Sequence, residues 1–384
     1  MQFEILKIGE KVYREIKRGK QIFSTNLVKK LEKPPGTLVK IMYGNKFVAW
    51  GVINPWNSYR YLRILSYDEN FDFVEDIKRK LKRAEKYREK IGYKNHYRLV
   101  YSESDFLSGL IIDRYNDIFV IQNYNYYYDI NMKEIVNTLI ELYGENINII
   151  EKSIGKWREN EGMIPKEVIH HGNEFKTIIR EAKKKFIVDT LLGQKTGWFL
   201  DQRENRKITR KIQGDRVLDV FSYTGSFGII INASNRYFVE KDEKAIKILK
   251  ENLRLNNITE DNYKIYKGNA FEVLRDLYNK KEKFDVIILD PPDLLAEGHL
   301  KGIKSFNIIN SIAIDLIDEG FLITFSCSQD LKEDKMLSIL RTLIRRKGKR
   351  FEIIARLHQA LDHKVIFPHK ELEYLKGYII EILP

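Results

Sequence analysis

The sequence predicts an α/β protein whose C-terminal half is a doubly wound, mostly parallel β-sheet. From about residue 216 onward, short apolar runs alternate with amphipathic helical patterns. Acidic and small polar residues follow these runs, at the carboxyl ends where such sheets bind ligands. A basic, β-rich segment comes first in the chain, which indicates that smaller domains precede the sheet. We expect a small β-barrel domain at residues 1–70, a central α+β domain at 71–175 and the doubly wound domain at 176–384.

Composition limits the class of protein. The 384 residues carry a formal net charge of +13, which favours a polyanionic partner such as nucleic acid, although a generally basic surface would give the same value. The single cysteine, Cys327, excludes an internal disulfide and a cysteine zinc cluster, and it indicates a reducing compartment. No apolar run could span a bilayer, and the N-terminus lacks a signal-peptide core. We therefore expect a cytoplasmic protein that uses neither a membrane nor a metal.

The first 70 residues predict short strands at 38–41, 47–52 and 60–65, with a turn at Tyr43-Gly44-Asn45-Lys46. Basic and aromatic side chains interleave in this segment, a mixture suited to RNA phosphates and bases. The candidate RNA contacts are Arg18, Lys20, Arg60 and Arg63. A β-barrel core with solvated lysines is the competing interpretation.

The central segment predicts a helix at 73–91, since apolar residues recur there at steps of three and four and Gly92 can end it. Strands are expected at 97–101, 110–113, 118–122 and 147–150, with a hairpin at Asn116-Asp117 and a helix at 132–143. No chemistry is evident in this α+β unit, which we interpret as a spacer or platform.

Residues 175–180 and 185–189 predict strands that enter the last domain. They lead to Lys195–Arg206, where Gly197 permits a turn and a polar helix begins beside the aromatic pair Trp198-Phe199. This polar cluster is expected to border a ligand pocket.

The sheet itself is expected to begin with a strand that ends in Asp219. The glycine turn Ser222–Gly228 follows, and a second strand ends in Glu240. Such a turn lets a ligand approach the backbone, and the second acid can accept hydrogen bonds from ribose hydroxyls. Tyr223 stands where a dinucleotide motif has its first glycine. A nucleoside without phosphates therefore fits better, and S-adenosylmethionine is the obvious candidate.

The remaining elements continue the alternation. Strands are predicted at 263–266, 284–289, 321–325, 351–357 and 378–383, and helices at 271–277, 306–317 and 336–344. Asp290-Pro291-Pro292 ends one buried strand, and Ser326-Cys327-Ser328 ends the next.

In combination, the stretches KTGWFLDQRENR, VLDVFSYTGSFG, FDVIILDPPD and ITFSCS resemble the ribosomal RNA large-subunit cytosine-5 methyltransferase family. Members join an N-terminal PUA domain, a central domain and a class I, Rossmann-like methyltransferase domain that uses S-adenosylmethionine. The N-terminal resemblance rests on RGKQIF, PPGTLVKI and YRYLRIL. The resemblance implies cofactor roles for Gln202, Arg203, Asp219, Tyr223, Gly225, Glu240, Asn269 and Asp290, and we add their neighbours Phe199, Lys241 and Ala270.

The sequence departs from the family pattern in three places. Asn269 replaces a frequent aspartate, and its side-chain carbonyl is expected to accept from the adenine amino group. Asp293 replaces the usual aromatic residue or lysine after the two prolines. Gln329-Asp330 stands where a histidine often follows the Ser-Cys-Ser motif.

The expected chemistry depends on Cys327. Cytosine carbon-5 becomes nucleophilic when a thiolate adds to carbon-6, which requires an exposed cysteine beside the methyl donor. Cys327 follows the strand next to Asp290, and the resemblance implies the same role; a buried cysteine acting as a small apolar residue is the alternative. Asp290 and Asp293 are both candidates for removing the carbon-5 proton. Methylation of an exocyclic amine usually needs an aromatic ring at position 293.

The leading hypothesis is an RNA cytosine-5 methyltransferase acting on ribosomal RNA, with Cys327 and Asp290 in its catalytic site. One alternative is methylation of guanine or uracil. Another is a non-catalytic RNA-binding factor in ribosome assembly. The sequence leaves a homodimer open.

Overall fold

The computed structural model describes residues 2–296 and 298–384 and divides the chain into two compact units. Unit 1 comprises Met1–Thr177, Asp189–Trp198 and Asp362–Leu372. Unit 2 comprises Ile178–Val188, Phe199–Leu361 and Glu373–Pro384. Residues 1–70 and 71–175, which the sequence predicts as separate domains, both fall within unit 1, where each contributes its own sheet.

The first sheet of unit 1 has the strand order β1-β3-β4-β5-β2. Its elements are β1 (Glu4–Lys7), α1 (Glu10–Lys17), β2 (Ile22–Phe23), β3 (Thr37–Tyr43), β4 (Lys46–Ile53) and β5 (Leu62–Ser66). The predicted turn at Tyr43–Lys46 is present, since β3 and β4 pair antiparallel across it. The sequence did not predict α1, a two-turn helix that buries Val12 and Ile16 in the core of this sheet.

The second sheet of unit 1 has the order β10-β9-β8-β7-β6. Its elements are α2 (Phe73–Lys90), β6 (His96–Tyr101), β7 (Leu110–Tyr115), β8 (Ile118–Asn123), α3 (Tyr126–Ile130), α4 (Met132–Tyr143), β9 (Asn148–Ser153), α5 (Lys156–Asn160) and β10 (Lys166–His171). Strands β8 and β9 run parallel, because α4 carries the chain back between them. The helices predicted at 73–91 and 132–143 are confirmed, while α3, α5 and β10 were not predicted.

A buried ion pair ties α2 to the rest of unit 1. The guanidinium of Arg88, which has no exposed surface, donates to both carboxylate oxygens of Asp105 at 2.6 and 2.8 Å and to the carbonyl oxygen of Asp362 at 2.9 Å. Burial would raise the pKa of Asp105, but Arg88 and Lys364 outweigh it and hold the pKa below its ordinary value. The carboxyl group is therefore ionised at neutral pH.

Unit 2 is built around a seven-stranded sheet of order β15-β14-β13-β16-β17-β19-β18. A separate two-stranded sheet of β11 (Lys176–Glu181) and β12 (Lys184–Asp189) precedes it, so both strands predicted at 175–180 and 185–189 are present and pair with each other. The remaining elements are α6 (Arg203–Thr209), β13 (Arg216–Val220), α7 (Ser226–Ile230), β14 (Asn235–Glu240), α8 (Glu243–Leu255), β15 (Tyr263–Lys267), α9 (Ala270–Asn279), β16 (Val286–Leu289), α10 (His299–Asp315), β17 (Gly320–Ser326), α11 (Glu333–Arg346), β18 (Arg350–His358) and β19 (Lys376–Leu383).

The doubly wound, mostly parallel sheet is thus confirmed. Strands β13 to β17 pair parallel, while β19 inserts antiparallel between β17 and β18. Strand β16 is wholly buried because helices cover both faces of a sheet of this kind. Leu218, Ile287, Phe306 and Leu340 belong to the same buried core cluster, which packs strands and helices of unit 2 together.

Replacing Arg88 by methionine should lower the free energy of unfolding of unit 1 by roughly 3 kcal/mol, because Asp105 then loses its bidentate partner while buried. Since the pKa of Asp105 lies below its ordinary value, this stabilisation is present at neutral pH and is lost as the pH falls below about 4. Urea denaturation followed by tryptophan fluorescence measures the effect, because all four tryptophans (Trp50, Trp56, Trp157 and Trp198) lie in unit 1.

The matched control is Arg79→Met on the same helix, where the side chain is 58% exposed. Its loss should cost less than about 1 kcal/mol, as for other surface ion pairs. Equal losses in the two variants would contradict a special role for the buried pair.

Candidate active site

The register of the parallel strands brings three acidic side chains to one edge of the unit 2 sheet. Val220 of β13 pairs with Val239 of β14 on one side and with Leu289 of β16 on the other. Glu240 and Asp290 follow these partners directly, and Asp219 precedes Val220. The strand order reverses between β13 and β16, and open α/β sheets bind ligands in the crevice at such a reversal.

The turn between β13 and α7 has an unusual backbone. Phe221, Tyr223 and Gly225 have φ values of 61°, 49° and 83°, in the left-handed region that side chains disfavour. A Cβ atom on Gly225 would lie 2.2 Å from the Cδ1 atom of Leu249, so only glycine fits there. The glycine turn predicted from the sequence is therefore present, and its conformation depends on this close packing against α8.

Glu240 fixes this turn through its carboxylate. One side-chain oxygen accepts from the backbone N–H of Tyr223 at 2.8 Å, and the other accepts from the N–H groups of Lys241 and Asp242 at 2.8 and 2.9 Å. The oxygen that accepts from Tyr223 keeps one lone pair, so the group can also accept from a ligand hydroxyl. Lys241 contributes its backbone N–H here, and its side chain is exposed.

Asp219 is a buried acid at the centre of the edge. Its side chain accepts from the backbone N–H of Gly228 at 2.8 Å, and the residue is 1% exposed. Burial raises the pKa of Asp219 to about 8, with Asp290 and Glu240 adding to the effect and the Gly228 hydrogen bond opposing it. The group is mainly protonated at pH 7 without a ligand, and a nearby cation would favour its ionised form.

A hydrogen-bonded chain orients Asp290. Gln202 is 2% exposed and donates from its amide to a carboxylate oxygen of Asp290 at 3.1 Å. Asn205 in turn donates to the amide oxygen of Gln202 at 2.6 Å. The sequence pattern identified Gln202 and Asp290 but missed Asn205, although it lies in the same polar cluster three residues along the chain.

Phe199 and Arg203 border the same region of unit 2. The ring of Phe199 meets the ring of Tyr223 edge-on, with centroids 5.3 Å apart. Arg203 is 5% exposed, and its Nε atom lies 4.0 Å from a carboxylate oxygen of Glu181. Phe199 therefore adjoins the glycine turn as expected, whereas Arg203 is paired toward β11.

Asn269 and Ala270 follow β15. The side-chain oxygen of Asn269 accepts from the backbone N–H of Phe271 at 2.9 Å and caps the start of α9. The oxygen that was expected to meet an adenine amino group is thus already engaged, with one lone pair remaining. Ala270 is 7% exposed and is the first residue of the helix.

Cys327 directly follows β17 and is partly exposed. Thr324 of β17 pairs with Leu289 of β16, so Cys327 and Asp290 lie at the same edge of neighbouring strands. The residue is therefore not fully buried, and its role as a nucleophile stays a prediction. Asp293 is exposed nearby in sequence and accepts from the N–H of Leu295 at 3.0 Å.

The sequence analysis gave no role to Lys376, the first residue of β19. It is only 9% exposed, and its ammonium group donates to the carbonyl oxygens of Ser328 and Tyr374, the latter at 2.8 Å. Its position opposite Ser326 in the antiparallel pairing sets it beside the Ser-Cys-Ser segment.

The candidate RNA contacts of unit 1 divide into two groups. The Arg18 side chain is 72% exposed, and those of Lys20 and Arg60 are 31% and 30% exposed. Arg63 is 4% exposed and its guanidinium pairs with Glu103 and Glu161 at 3.4 and 2.6 Å. The prediction for Arg63 was wrong, because its charge is neutralised inside the protein and a phosphate cannot reach it.

The edge of the unit 2 sheet fits a ligand with hydroxyl groups and a positive charge. Glu240 offers acceptors, and Asp219 can supply a negative charge once it ionises. The buried hydroxyl of Thr224, in the same turn, has no hydrogen-bond partner among residues 2–296 and 298–384. Over this described part of the chain, no group of three histidine, cysteine or acidic side chains could hold a metal ion, and no helix is long and apolar enough to span a membrane.

Solved structures share this architecture. A putative SAM-dependent methyltransferase from Streptococcus mutans superposes with a TM-score of 0.81 over 99% of this chain and 100% of its own, at 18% identity. A putative methyltransferase complexed with SAH gives a TM-score of 0.83 with the same coverages and identity. These likenesses establish the class I methyltransferase fold.

Sequence comparison is more specific. The family model described as conserved hypothetical protein 95 matches residues 204–350. A putative ribosomal RNA large subunit methyltransferase of Methanocaldococcus jannaschii is 40% identical over 348 residues, covering 88% of this chain and 86% of the relative. Ribosomal RNA large subunit methyltransferase I of Shigella dysenteriae is 32% identical over 361 residues, covering 90% of each chain. The chain therefore belongs to the ribosomal RNA large subunit methyltransferase family.

Proposed function

We propose that the protein transfers a methyl group from S-adenosylmethionine to carbon-5 of a cytosine in large-subunit ribosomal RNA. One observation carries this proposal: a partly exposed cysteine follows β17, on the same sheet edge as Asp290, Asp219 and Glu240. When bound, S-adenosylmethionine supplies an electrophilic methyl group on a sulfonium. The names of the relatives support ribosomal RNA as the substrate.

The residues at the edge divide the task of holding the cofactor. Glu240 would accept from the ribose hydroxyls, and the backbone of the Gly225 turn would allow close approach. Asp219 would supply a carboxylate to the positive end of the ligand. Phe199 and Tyr223 would give apolar contact, and Asn269 with Ala270 would border the base.

Covalent catalysis makes the pyrimidine reactive. The Cys327 thiolate adds to carbon-6 of cytosine, forming a carbon–sulfur bond and moving the π electrons to carbon-5. Carbon-5 attacks the methyl carbon, and the bond from that carbon to the sulfonium sulfur breaks, with its electron pair staying on sulfur as a neutral thioether. A base then removes the carbon-5 proton. The electron pair of that carbon–hydrogen bond restores the ring double bond and expels the thiolate, so Cys327 is regenerated.

Asp290 is our choice for the base that removes the carbon-5 proton. The sequence has no second cysteine for this step. Gln202 holds the Asp290 carboxylate in a defined orientation, whereas Asp293 is exposed and engaged in a local turn. A base needs fixed geometry, which favours the oriented carboxylate. The lack of an aromatic ring at position 293 also argues against methylation of an exocyclic amine.

Unit 1 offers a surface for the RNA. The guanidinium of Arg60 stacks over the ring of Trp157, 4.5 Å from its centroid. Trp56, Tyr59 and Trp157 are 59%, 84% and 54% exposed, although large aromatic side chains are usually covered. Exposed rings beside a cation suit unpaired bases and their phosphates. We call these four residues the aromatic surface, and Arg18 and Lys20 are further candidates for phosphate contacts.

Replacing Cys327 by alanine should abolish methyl transfer without weakening cofactor binding. Purified protein is incubated with isotopically labelled S-adenosylmethionine and ribosomal RNA, and the labelled nucleoside is identified by mass spectrometry. The wild type should form 5-methylcytidine. RNA containing 5-fluorocytosine should also form an adduct that survives denaturing gels, because fluorine cannot leave as a proton does.

The alanine variant should form neither product nor adduct, while calorimetry finds its cofactor affinity unchanged. Turnover by the alanine variant would rule out the covalent route. Label on a guanine would rule out the proposed base.

Cofactor binding should release up to one proton at pH 7, because the cationic ligand favours the ionised form of Asp219. Since the pKa of this acid is about 8 in the ligand-free protein, affinity should rise as the pH increases from 6 to 8. Calorimetry in two buffers with different ionisation enthalpies counts the protons. Asp219→Asn should remove the proton release, whereas Asp276→Asn on the exposed face of α9 should not. Equal release in the two variants would contradict this role.

Replacing Trp157 by alanine should weaken RNA binding about tenfold, since stacking is worth about 1–3 kcal/mol per base. Arg60→Ala should weaken binding and reduce its dependence on salt concentration. Fluorescence anisotropy with a single-stranded RNA measures both effects. Tyr67→Ala, which removes another exposed ring of unit 1, serves as the control. If all three variants bind RNA equally well, the aromatic surface is not the contact site.

A further inference from the structure

The backbone around Cys327 is held by a set of short-range hydrogen bonds. The hydroxyl of Ser326 accepts from the N–H of Ser328, and the hydroxyl of Ser328 accepts from the N–H of Asp330, each at 3.3 Å. Lys376 then donates to the carbonyl oxygen of Ser328. Cys327 thus lies between two serines that are both held by hydrogen bonds, and these bonds fix the position of its backbone.

Lys376 contacts this segment from the neighbouring strand, β19. Strand β19 runs antiparallel to β17, and Lys376 is paired with Ser326 across the two strands. A second hydrogen bond to the carbonyl oxygen of Tyr374 fixes the ammonium from its own strand. The group therefore contacts the residue after Cys327 and is paired with the residue before it.

The charges around the ammonium are mixed. Burial lowers the pKa of Lys376, and the nearby Cys327 opposes that effect most strongly. Asp293 and Glu373 also favour the charged lysine, while Lys332 disfavours it. His358 of β18 is paired with Lys376 on the far side. A positive charge near a sulfur atom stabilises the thiolate in return, because the attraction is mutual.

We infer that Lys376 is the positioning residue for Cys327: its buried ammonium holds the Ser-Cys-Ser segment at the sheet edge and stabilises the thiolate that attacks cytosine. The inference rests on the proposed use of Cys327 as the nucleophile. Lys376 acts through the cysteine and need not touch the RNA or the cofactor. It would also supply an activating charge in a sequence that has no second cysteine.

Thiol alkylation tests this inference without any methyl transfer. Cys327 is the sole cysteine of the sequence, so the rate of iodoacetamide labelling against pH reports on this thiol alone. The midpoint for the wild-type protein should lie below about 8.5, the value of an unperturbed cysteine. In Lys376→Met the midpoint should rise by about one pH unit or more, with about tenfold slower labelling at pH 7. Lys376→Arg keeps the charge and should retain most of the wild-type rate.

Lys332→Met is the matched control, since Lys332 is an exposed lysine whose charge also acts on Lys376. Its labelling profile should follow the wild type. Circular dichroism checks that each variant is folded. If Lys376→Met does not fold, the inference is still tested by the labelling midpoint of the wild type and by the labelling rate of Lys376→Arg. A wild-type midpoint at or above about 8.5 overturns the inference, as does an unchanged midpoint in folded Lys376→Met.

Activity measurements separate this inference from the proposed function. In Lys376→Met, kcat for methyl transfer should fall while KM for RNA stays unchanged, and activity should recover in part as the pH rises from 7 to 9. If Cys327→Ala still methylates RNA while labelling depends on Lys376, the covalent route fails and the thiolate contact stands. If Cys327 is essential but labelling ignores Lys376, the inference fails and the proposed function stands.

Discussion

The site depends on the register of four parallel strands, β14, β13, β16 and β17. Each strand carries its special residue at or next to its last position: Glu240, Asp219, Asp290 and Cys327. Because side chains alternate between the faces of a strand, a shift of one residue in any pairing would turn a group away from the others. Sliding a strand along its neighbours is opposed, because it would draw the polar residues at one strand end into the core and move apolar side chains out at the other end. The hydrophobic core below the edge therefore determines the chemistry above it.

Much of this could be predicted from the sequence because the signals are local. The strand before Asp219, the glycine turn and the acid of Glu240 lie within 25 residues. Together their residue types favour a nucleoside site over a turn that merely connects strand and helix. Helix α4 begins and ends where its apolar periodicity does. Cys327 and Asp290 could be matched because both follow buried apolar runs, and parallel strands end on one side of a sheet.

Other features depend on contacts between distant parts of the chain. Arg63 is as basic as Arg60 in the sequence, but its partner Glu161 lies 98 positions away and turns it into a buried ion pair. In the sequence, Lys376 is simply a lysine at the start of an apolar strand. Its contact with the Ser-Cys-Ser segment exists only because β19 pairs with β17. The strand pair β11 and β12 has ordinary strand periodicity, which cannot say which sheet it joins. Hydrophobic periodicity predicts that a segment forms a strand or a helix. Which other elements it packs against depends on the whole fold.

The two units are interleaved along the chain. Unit 1 takes Asp189–Trp198 and Asp362–Leu372 from the region that otherwise builds unit 2. The second of these segments is firmly bound: Asp362 accepts from the N–H of Arg98 at 2.8 Å, and His369 accepts from the N–H of Gln21 at 3.0 Å. Dividing the chain at one position therefore cannot separate the two units. A domain exchange made at a single junction would leave part of unit 1 attached to unit 2.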